Sequence, residues 1–213
     1  MNNPFALSNS QLLDIANDLK SKIEVGLQKD GTEIKCLPTY IHPKKDGIKG
    51  EATVFDLGGT NFRAAVVSVG EETKITGLAE KNITEMKTAG FTETDLYNSE
   101  AEAIKKLNIP ASSSIGYCFS YPAQPMLNGD AELIIWTKGV NIPGMEGKPV
   151  GAPMVKYLNE TINAGFNGKI AVVNDTITSL FAGLANPGYD AYIGLIVGTG
   201  TNMATFFPSE YIP

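Results

Sequence analysis

Two turns rich in glycine and threonine offer the clearest chemistry in the sequence. They are formed by Gly58, Gly59, Thr60 and Asn61, and by Gly198, Thr199 and Gly200. Because glycine lets the main chain approach an anion closely, the backbone amides of such turns suit phosphate oxygens. Asp56 stands just before the first turn, where a carboxylate would suit Mg²⁺, held through water. The alternative is a pair of ordinary tight hairpins.

The two turns belong to a long internal repeat. The segments VFDLGGTNFRAAVV and GLIVGTGTNMATFF each consist of an apolar strand, a glycine turn and a second strand, and both contain Gly-Thr-Asn. A repeat of this length within mixed α/β structure predicts two related domains rather than a solenoid. The position equivalent to Asp56 is Val197. If the hairpins face each other across a cleft, only one of them supplies a carboxylate.

A second carboxylate, Asp175, directly follows a short apolar strand, with Asn174 beside it. At the end of a strand, Asp175 could act as a general base that takes a proton from a hydroxyl. The amide of Asn174 could donate to and accept from a polyol. The alternative for Asp175 is structural, because aspartate is a favoured N-cap and a helix is predicted to begin here.

Two further strand ends carry an amine and hydroxyl groups. Thr137 and Lys138 follow one apolar strand, and Ser120 and Tyr121 end another. A lysine in that place could reach into a cleft and bind a hydroxyl or a phosphate. Spacing alone favours the alternative for Lys138, a solvated lysine in a loop.

The composition excludes several classes of protein. The 213 residues carry a net charge of −6, one histidine and two cysteines. The acidic balance argues against a nucleic-acid partner, which would require a basic surface. A single histidine, His42, nearly excludes histidine triads and multi-histidine metal sites, and we expect it in a surface loop. Cys118 is expected to be a small buried side chain.

The sequence also gives an expectation for the compartment. The longest apolar runs, such as 193–197, are far shorter than the ~20 residues of a membrane-spanning helix. The first residues lack the pattern of a signal peptide, and the two cysteines form no disulfide framework. We therefore expect a cytoplasmic protein without a membrane segment.

Hydrophobic periodicity predicts mixed strands and helices, and therefore an α/β fold. A helix is predicted after Ser8, with Gln11 completing a capping box, and it should stop at Asp30-Gly31. Thr94 is the expected cap of the second helix. Strands are predicted over 52–57, 62–69, 73–84, 113–120, 132–136, 170–173, 193–197 and 203–207, and the later helices over 95–107, 153–164 and 174–184.

Together these segments resemble the hexokinase family. Two of them, VFDLGGTNFR and LIVGTGTN, are similar to its first and second phosphate motifs. FSYP and WTKG are similar to its sugar-contact segments, and VVNDT to the segment that carries its catalytic aspartate. Five motifs in the family's order, spread over residues 51–207, make the resemblance specific. Single glycine turns also occur in the wider actin and Hsp70 superfamily.

The resemblance implies an actin-like, RNase H-like fold in two lobes with a sugar cleft between them. It implies ATP-dependent, Mg²⁺-dependent phosphorylation of a hexose, with glucose expected, at the 6-hydroxyl. Asp175 would be the general base, and the role of Arg63 stays open. The sugar would be bound by Ser120, Tyr121, Thr137, Lys138, Asn174, Asp175 and Asn202. The nucleotide would be bound by Asp56, Gly58, Gly59, Thr60, Asn61, Gly198, Thr199 and Gly200, with Mg²⁺ at Asp56 through water.

The resemblance also divides the chain. Residues 51–173 would form the small lobe, while 1–50 and 174–213 would belong to the large lobe. The family's sugar-binding glutamates and adenosine motif are not found in the sequence, so we expect an N-terminal half that is inactive alone. Its unpaired large-lobe strands could support a dimer. Tyr121 stands where the family usually has phenylalanine.

Two alternatives to a kinase are less consistent with the sequence. A non-catalytic, hexokinase-like sugar sensor would be expected to lose Asp175 or the phosphate turns, and the sequence retains both. An ATPase related to actin or Hsp70, acting on a protein partner, is less consistent with the FSYP and WTKG segments.

Overall fold

A five-stranded mixed sheet organises most of the chain. The computed structural model describes residues 6–41, 49–110, 113–185, 188–198 and 201–211. His42, expected in a loop, lies outside them. The helices are α1 (Asn9–Gln28), α2 (Glu93–Ile104), α3 (Gly151–Ile162) and α4 (Asp175–Gly183), with short 3-10 helices at Thr84–Lys87 and Ser209–Tyr211. The strands are β1 (Gly50–Leu57), β2 (Asn61–Val69), β3 (Lys74–Asn82), β4 (Ser114–Phe119), β5 (Ala123–Pro125), β6 (Ala131–Leu133), β7 (Ile170–Val173), β8 (Ile193–Val197) and β9 (Thr201–Thr205).

The strand order of the main sheet is β3-β2-β1-β4-β7. The first three strands form an antiparallel meander, whereas β1, β4 and β7 run parallel. In the parallel register, Asp56 pairs with Cys118, and Cys118 pairs with Val173. The carboxyl ends of these three strands therefore meet at one edge of the sheet. Asp56 and the residues that follow Val173 lie at that edge.

The two faces of this sheet differ. Phe55 and Leu57 of β1 are buried, as are Tyr117 and Phe119 of β4, and they belong to the hydrophobic core beneath α2 and α3. Because side chains alternate along a strand, Asp56 projects from the opposite, half-exposed face. Cys118, its partner in register, projects from that face as well. The core residues therefore lie on one face of the sheet, and the candidate site residues of the same strands lie on the other.

Each glycine turn connects the two strands of an antiparallel hairpin, as the internal repeat predicts. The first joins β1 to β2 within the main sheet, and the second joins β8 to β9 in a separate two-stranded sheet. The second strand of that hairpin is Thr201–Thr205, two residues earlier than the expected 203–207. Thr201, the first residue of β9, pairs with Val197, the last residue of β8.

Helix α2 begins at a different cap from the one expected. The structure places Thr92, not Thr94, at the N-cap, and the Asp95 amide donates to the Thr92 hydroxyl at 3.2 Å. In return, the Asp95 carboxylate accepts from the Thr92 amide at 2.9 Å. Asp95 stands at the third helical position from Thr92, which is the spacing of a capping box. Thr94 has no acid at that distance.

Helix α3 is capped from a distant turn. Its own N-cap residue, Val150, makes no capping bond with its side chain. Instead, the buried carboxylate of Asp130 accepts from the amides of Gly151 and Ala152, each at 2.8 Å. The same turn accepts the Val172 amide of β7 through the Gly129 carbonyl at 2.7 Å. The strand expected over 132–136 is reduced to β6, and β5, its partner, was not predicted.

The chain divides into two compact units. One consists of Met1–Pro38 with Phe206–Pro213, and the other is Thr39–Thr205. The first contains α1, which begins with the expected capping box between Ser8 and Gln11. The second contains every described candidate site residue. The lobe boundaries implied by the resemblance, at 50/51 and 173/174, differ from these divisions and remain a prediction. No helix in the described ranges has both the length and the apolar character needed to cross a membrane.

The buried carboxyl of Glu100 makes the stability of this fold depend on pH. Its Oε1 accepts from the Tyr117 hydroxyl at 3.0 Å, and its Oε2 is buried without a hydrogen-bond partner among the described atoms. Burial raises the pKa of Glu100 from 4.5 to about 8, although the Tyr117 bond opposes the shift. The folded chain therefore holds a proton that the unfolded chain releases. Tyr97 is a second titratable group nearby, and the negative charges of Glu93, Glu100 and Asp130 contribute to its raised pKa.

We expect Glu100→Gln to remove this pH dependence. The stabilising contribution of protonated Glu100 is fully present below about pH 4.5 and is lost as the pH rises through about 8. Between pH 5 and 8.5 the wild type should lose a few kcal/mol relative to the variant, since one pKa unit corresponds to about 1.4 kcal/mol. Urea denaturation at both pH values measures the difference. Exposed Glu102, paired with Lys81, supplies the control variant Glu102→Gln, and an equal response from both variants would contradict the prediction.

Candidate functional site

Asp56 is held by an arginine across the β1–β2 hairpin. The antiparallel register places Arg63 opposite Asp56, and Arg63 Nη1 lies 3.2 Å from Asp56 Oδ2. Arg63 Nη2 lies 3.1 Å from Glu80 Oε1 on β3. The guanidinium, on β2, therefore bridges carboxylates on the two strands that flank β2. This pairing gives a structural partner to the arginine whose role the sequence left open.

The first glycine turn is closed by its own backbone. The Gly58 amide donates to the Asn61 carbonyl at 3.0 Å, and the Thr60 carbonyl accepts from the Ile83 amide at 2.7 Å. The Asn61 side chain accepts from the Asn82 amide group at 3.3 Å. Gly58 and Gly59 remain partly exposed, so ligand atoms can approach the main chain there. In the second turn only Gly198 is described; Thr199 and Gly200 lie outside the described residues.

The two candidate sugar segments meet at Lys138. Its Nζ donates to the Ser120 carbonyl at 2.7 Å and lies 5.3 Å from the centre of the Tyr121 ring. Lys138 has a positive φ of 59°, which turns the chain sharply after Thr137. Lys138 is an exposed loop residue, as spacing favoured, but its amine has a partner within the protein. Although the residue is largely exposed, its amine is fixed against the FSYP segment.

The indole of Trp136 anchors the start of the same loop. Its Nε1 donates to the Ile142 carbonyl at 3.2 Å, and its backbone amide donates to Glu146 Oε1 at 2.9 Å. The Thr137 carbonyl accepts from the Val140 amide at 3.0 Å. The loop is thus closed by three hydrogen bonds, which leave Thr137 partly exposed.

Asn174, rather than Asp175, is the N-cap of α4. The Asn174 side-chain oxygen accepts from the Thr176 amide at 3.0 Å and from the Asn202 amide group at 2.9 Å. Asp175 is the first residue of the helix, and its Oδ1 accepts from the amide and hydroxyl of Thr176 at 2.9 and 3.3 Å. Because Asn174 caps the helix, the alternative that Asp175 is the N-cap is wrong. The structure brings Asn174 and Asn202 together.

Cys118 reveals that the two candidate carboxylates share one neighbourhood. Burial, together with the smaller effect of the negative charges of Asp56 and Asp175, raises the pKa of this thiol to about 12. The Thr178 hydroxyl acts in the opposite direction. Cys118 is half-buried rather than fully buried, and its strand lies between β1, which leads into the first glycine turn, and β7, which leads into α4. The sequence pattern did not indicate Cys118 as a residue near the site. The parallel register of β1 and β4, which pairs it with Asp56, is the signal that would have done so.

The donor set suits a magnesium ion that arrives with phosphate oxygens. Within the part of the chain that is described, no three histidine, cysteine, aspartate or glutamate side chains form a metal-binding group. Mg²⁺ usually keeps several waters and is held by one or two carboxylates together with substrate phosphates. Asp56 and Asp175, on either side of Cys118, are consistent with that requirement.

Comparison with known proteins identifies the family of this chain. The family model described as Hexokinase matches residues 1–184. The chain belongs to the hexokinase family. Hexokinase-3 of Rattus norvegicus is 34% identical over 211 residues, which cover 93% of this chain and 22% of the rat protein. Hexokinase-1 of Pongo abelii is 33% identical over 213 residues, which cover 92% of this chain and 22% of that protein.

A solved hexokinase identifies the fold. The hexokinase of Schistosoma mansoni, complexed with glucose, has a TM-score of 0.82 and 30% identity, covering 98% of this chain and 48% of that one. The α/β structure is therefore the actin-like, RNase H-like fold of hexokinases, as the resemblance implied. The chain spans about a fifth of the length of these curated relatives and about half of the solved hexokinase.

Proposed function

We propose that a hexokinase containing this chain transfers the γ-phosphoryl group of Mg·ATP to the 6-hydroxyl of a hexose, with glucose as the expected substrate. The observation that carries the proposal is the position of Cys118, flanked by Asp56 and by Asp175. A phosphate-binding turn and a candidate base then serve one reacting centre. Phosphoryl transfer depends chiefly on such positioning and on charge stabilisation.

Asp175 is proposed as the general base. Its carboxylate stands at the first position of α4, where Thr176 holds one of its oxygens through two hydrogen bonds. A base must be held within hydrogen-bond reach of the proton that it takes. Fixing one oxygen limits rotation of the carboxylate, and the residue is partly exposed at the edge of the sheet where the sugar hydroxyl would lie.

The hexose is proposed to bind between two polar pairs. Lys138 and Ser120 form one pair, and Asn174 and Asn202 form the other. Thr137 adds a partly exposed hydroxyl next to Lys138. Hydroxyl and amide groups in this arrangement can both donate to and accept from a polyol, which is the chemistry that a sugar ring requires.

The nucleotide phosphates are proposed to lie along the first glycine turn. Gly58 and Gly59 expose main chain to a ligand, with Thr60 and Asn61 completing the turn and Asp56 holding Mg²⁺ through water. Gly198, Thr199 and Gly200 would supply the second phosphate turn. The metal ion, when bound, neutralises charge on the phosphates. Arg63, now paired with Asp56 and Glu80, keeps that carboxylate in place.

Deoxy analogues of glucose test the proposed sugar contacts. In a family-length hexokinase carrying this chain, the loss of a hydroxyl that contacts the protein should leave a polar group unpaired, at about 1–3 kcal/mol for a buried group. Coupled ADP-release assays with glucose and its deoxy analogues measure the effect. A deoxy position that faces solvent serves as the internal control. Equal KM and kcat values for every analogue would contradict the assignment.

Self-association is proposed through the β8–β9 hairpin. Ile193, Leu195 and Val197 of β8 are 63%, 57% and 74% exposed, and an exposed apolar strand tends to pair with another chain. We expect the 213-residue chain to show a concentration-dependent dimer in sedimentation velocity, and replacing Leu195 by lysine should weaken it. A monomer at every concentration would contradict the proposal.

The compartment is proposed to be cytoplasmic, in keeping with two free cysteines.

A further inference from the structure

Tyr121 is fixed by two different parts of the site. Its hydroxyl donates to the Gly58 carbonyl at 3.0 Å, although the two residues are far apart in the sequence. Burial raises the pKa of Tyr121 to about 12. The hydroxyl therefore keeps its proton at neutral pH and can serve as a donor to that carbonyl.

The ring of Tyr121 is held independently of its hydroxyl. It packs edge-on against Trp136, with ring centres 4.7 Å apart, and in a tilted contact with Phe119 at 5.3 Å. The Lys138 amine lies over its face. Since aromatic and cation–π contacts do not require the hydroxyl, a phenylalanine could occupy the same space.

Both backbone polar groups of Gly58 are thereby fixed. Its amide donates to Asn61, and its carbonyl accepts from Tyr121. The next residue, Gly59, lies against the Lys138 side chain, because a Cβ built there would be 3.3 Å from Lys138 Cδ. The glycine turn is therefore tied to FSYP through a hydrogen bond and to WTKG through packing.

We propose that Tyr121 is a positioning residue: its hydroxyl sets the glycine turn at Gly58 in register with the sugar-binding segments, rather than contacting the sugar itself. The proposal rests on the proposed phosphoryl transfer. It gives the Tyr121 hydroxyl a task on the nucleotide side of the site, whereas the resemblance implied a sugar contact beside Ser120. Without this bond, the glycine turn would have to be ordered each time a nucleotide binds.

The test is Tyr121→Phe in a family-length hexokinase carrying this chain. We expect the KM for ATP to rise, or kcat to fall, by about three- to ten-fold, the effect of one lost hydrogen bond. The KM for glucose should stay within about twofold of wild type. Tyr157→Phe, which removes a hydroxyl bonded to Asn98 at 2.8 Å, is the matched control and should change neither value.

Two outcomes would overturn the proposal. One is a rise in the KM for glucose with the KM for ATP unchanged, which would place the hydroxyl on the sugar. The other is unchanged kinetics in both substrates. Fluorescence of Trp136, the only tryptophan of the 213-residue chain, should be the same in wild type and Tyr121→Phe, which verifies that the ring packing survives. If the wild-type enzyme phosphorylates no hexose, the proposed function fails instead, so the two failures are distinguishable.

Discussion

Replacing Asp175 by alanine is expected to lower the rate of hexose phosphorylation by about 10²–10⁴-fold, the usual contribution of a general base. Sugar binding should persist in part, because Lys138, Ser120 and the Asn174–Asn202 pair remain. The loss should therefore fall mainly on kcat. Steady-state assays with glucose and Mg·ATP, together with equilibrium binding of glucose, separate the two effects.

Two further variants separate catalysis from helix stability. Asp175→Asn keeps the size of the side chain and an oxygen that can accept from Thr176, but it removes the base, so it should be nearly as inactive as the alanine variant. Asp95→Ala removes the acid that completes the capping box of α2. It should cost about 1 kcal/mol of stability and leave kcat unchanged. Near-normal turnover in Asp175→Asn would reduce Asp175 to a structural residue.

The elements of the fold could be predicted where the local pattern decides them. The β1–β2 hairpin, β7 and the cap of α1 follow from alternation, glycine turns and a capping box, all of which are short-range signals. The cap of α2 was misplaced because Thr92 and Thr94 both precede the helix, and only Thr92 has an acid at the correct spacing. The cap of α3 could not be predicted, since Asp130 reaches it from a distant turn.

The candidate site was predictable by residue type but not by contact. Glycine turns, Asp175 and the WTKG segment were apparent in the sequence, yet spacing could not tell that Lys138 turns back to Ser120 through a positive φ. No sequence pattern marks Cys118 as a site residue, because it lies near Asp56 and Asp175 only through the pairing of β4 with β1 and β7. The hydroxyl of Tyr121 is similar, since its partner Gly58 becomes a neighbour only when β4 pairs with β1.

The coverage of relatives bears on what this chain can do alone. It aligns with 48% of the Schistosoma hexokinase. The resemblance assigns the sugar-binding glutamates and the adenosine motif to parts of the family for which this sequence has no counterpart. A hydroxyl acceptor must be held in line with the γ-phosphate, and orientation of that kind can supply about 7–11 kcal/mol of the barrier. The residues present here would orient only part of each substrate.

The 213-residue chain by itself is therefore expected to release ADP in response to glucose at less than about 10⁻⁵ of the rate of a family-length hexokinase, since each 1.36 kcal/mol is a factor of ten. The measurement is a coupled ADP-release assay with glucose and Mg·ATP, after circular dichroism has verified the mixed α/β content. The same chain carrying Asp175→Ala is the control, because any glucose-dependent signal that survives this substitution comes from a contaminating kinase. Robust turnover that disappears with Asp175→Ala would overturn the prediction and would mean that Asp175, Lys138 and the first glycine turn suffice to align the hexose with the nucleotide.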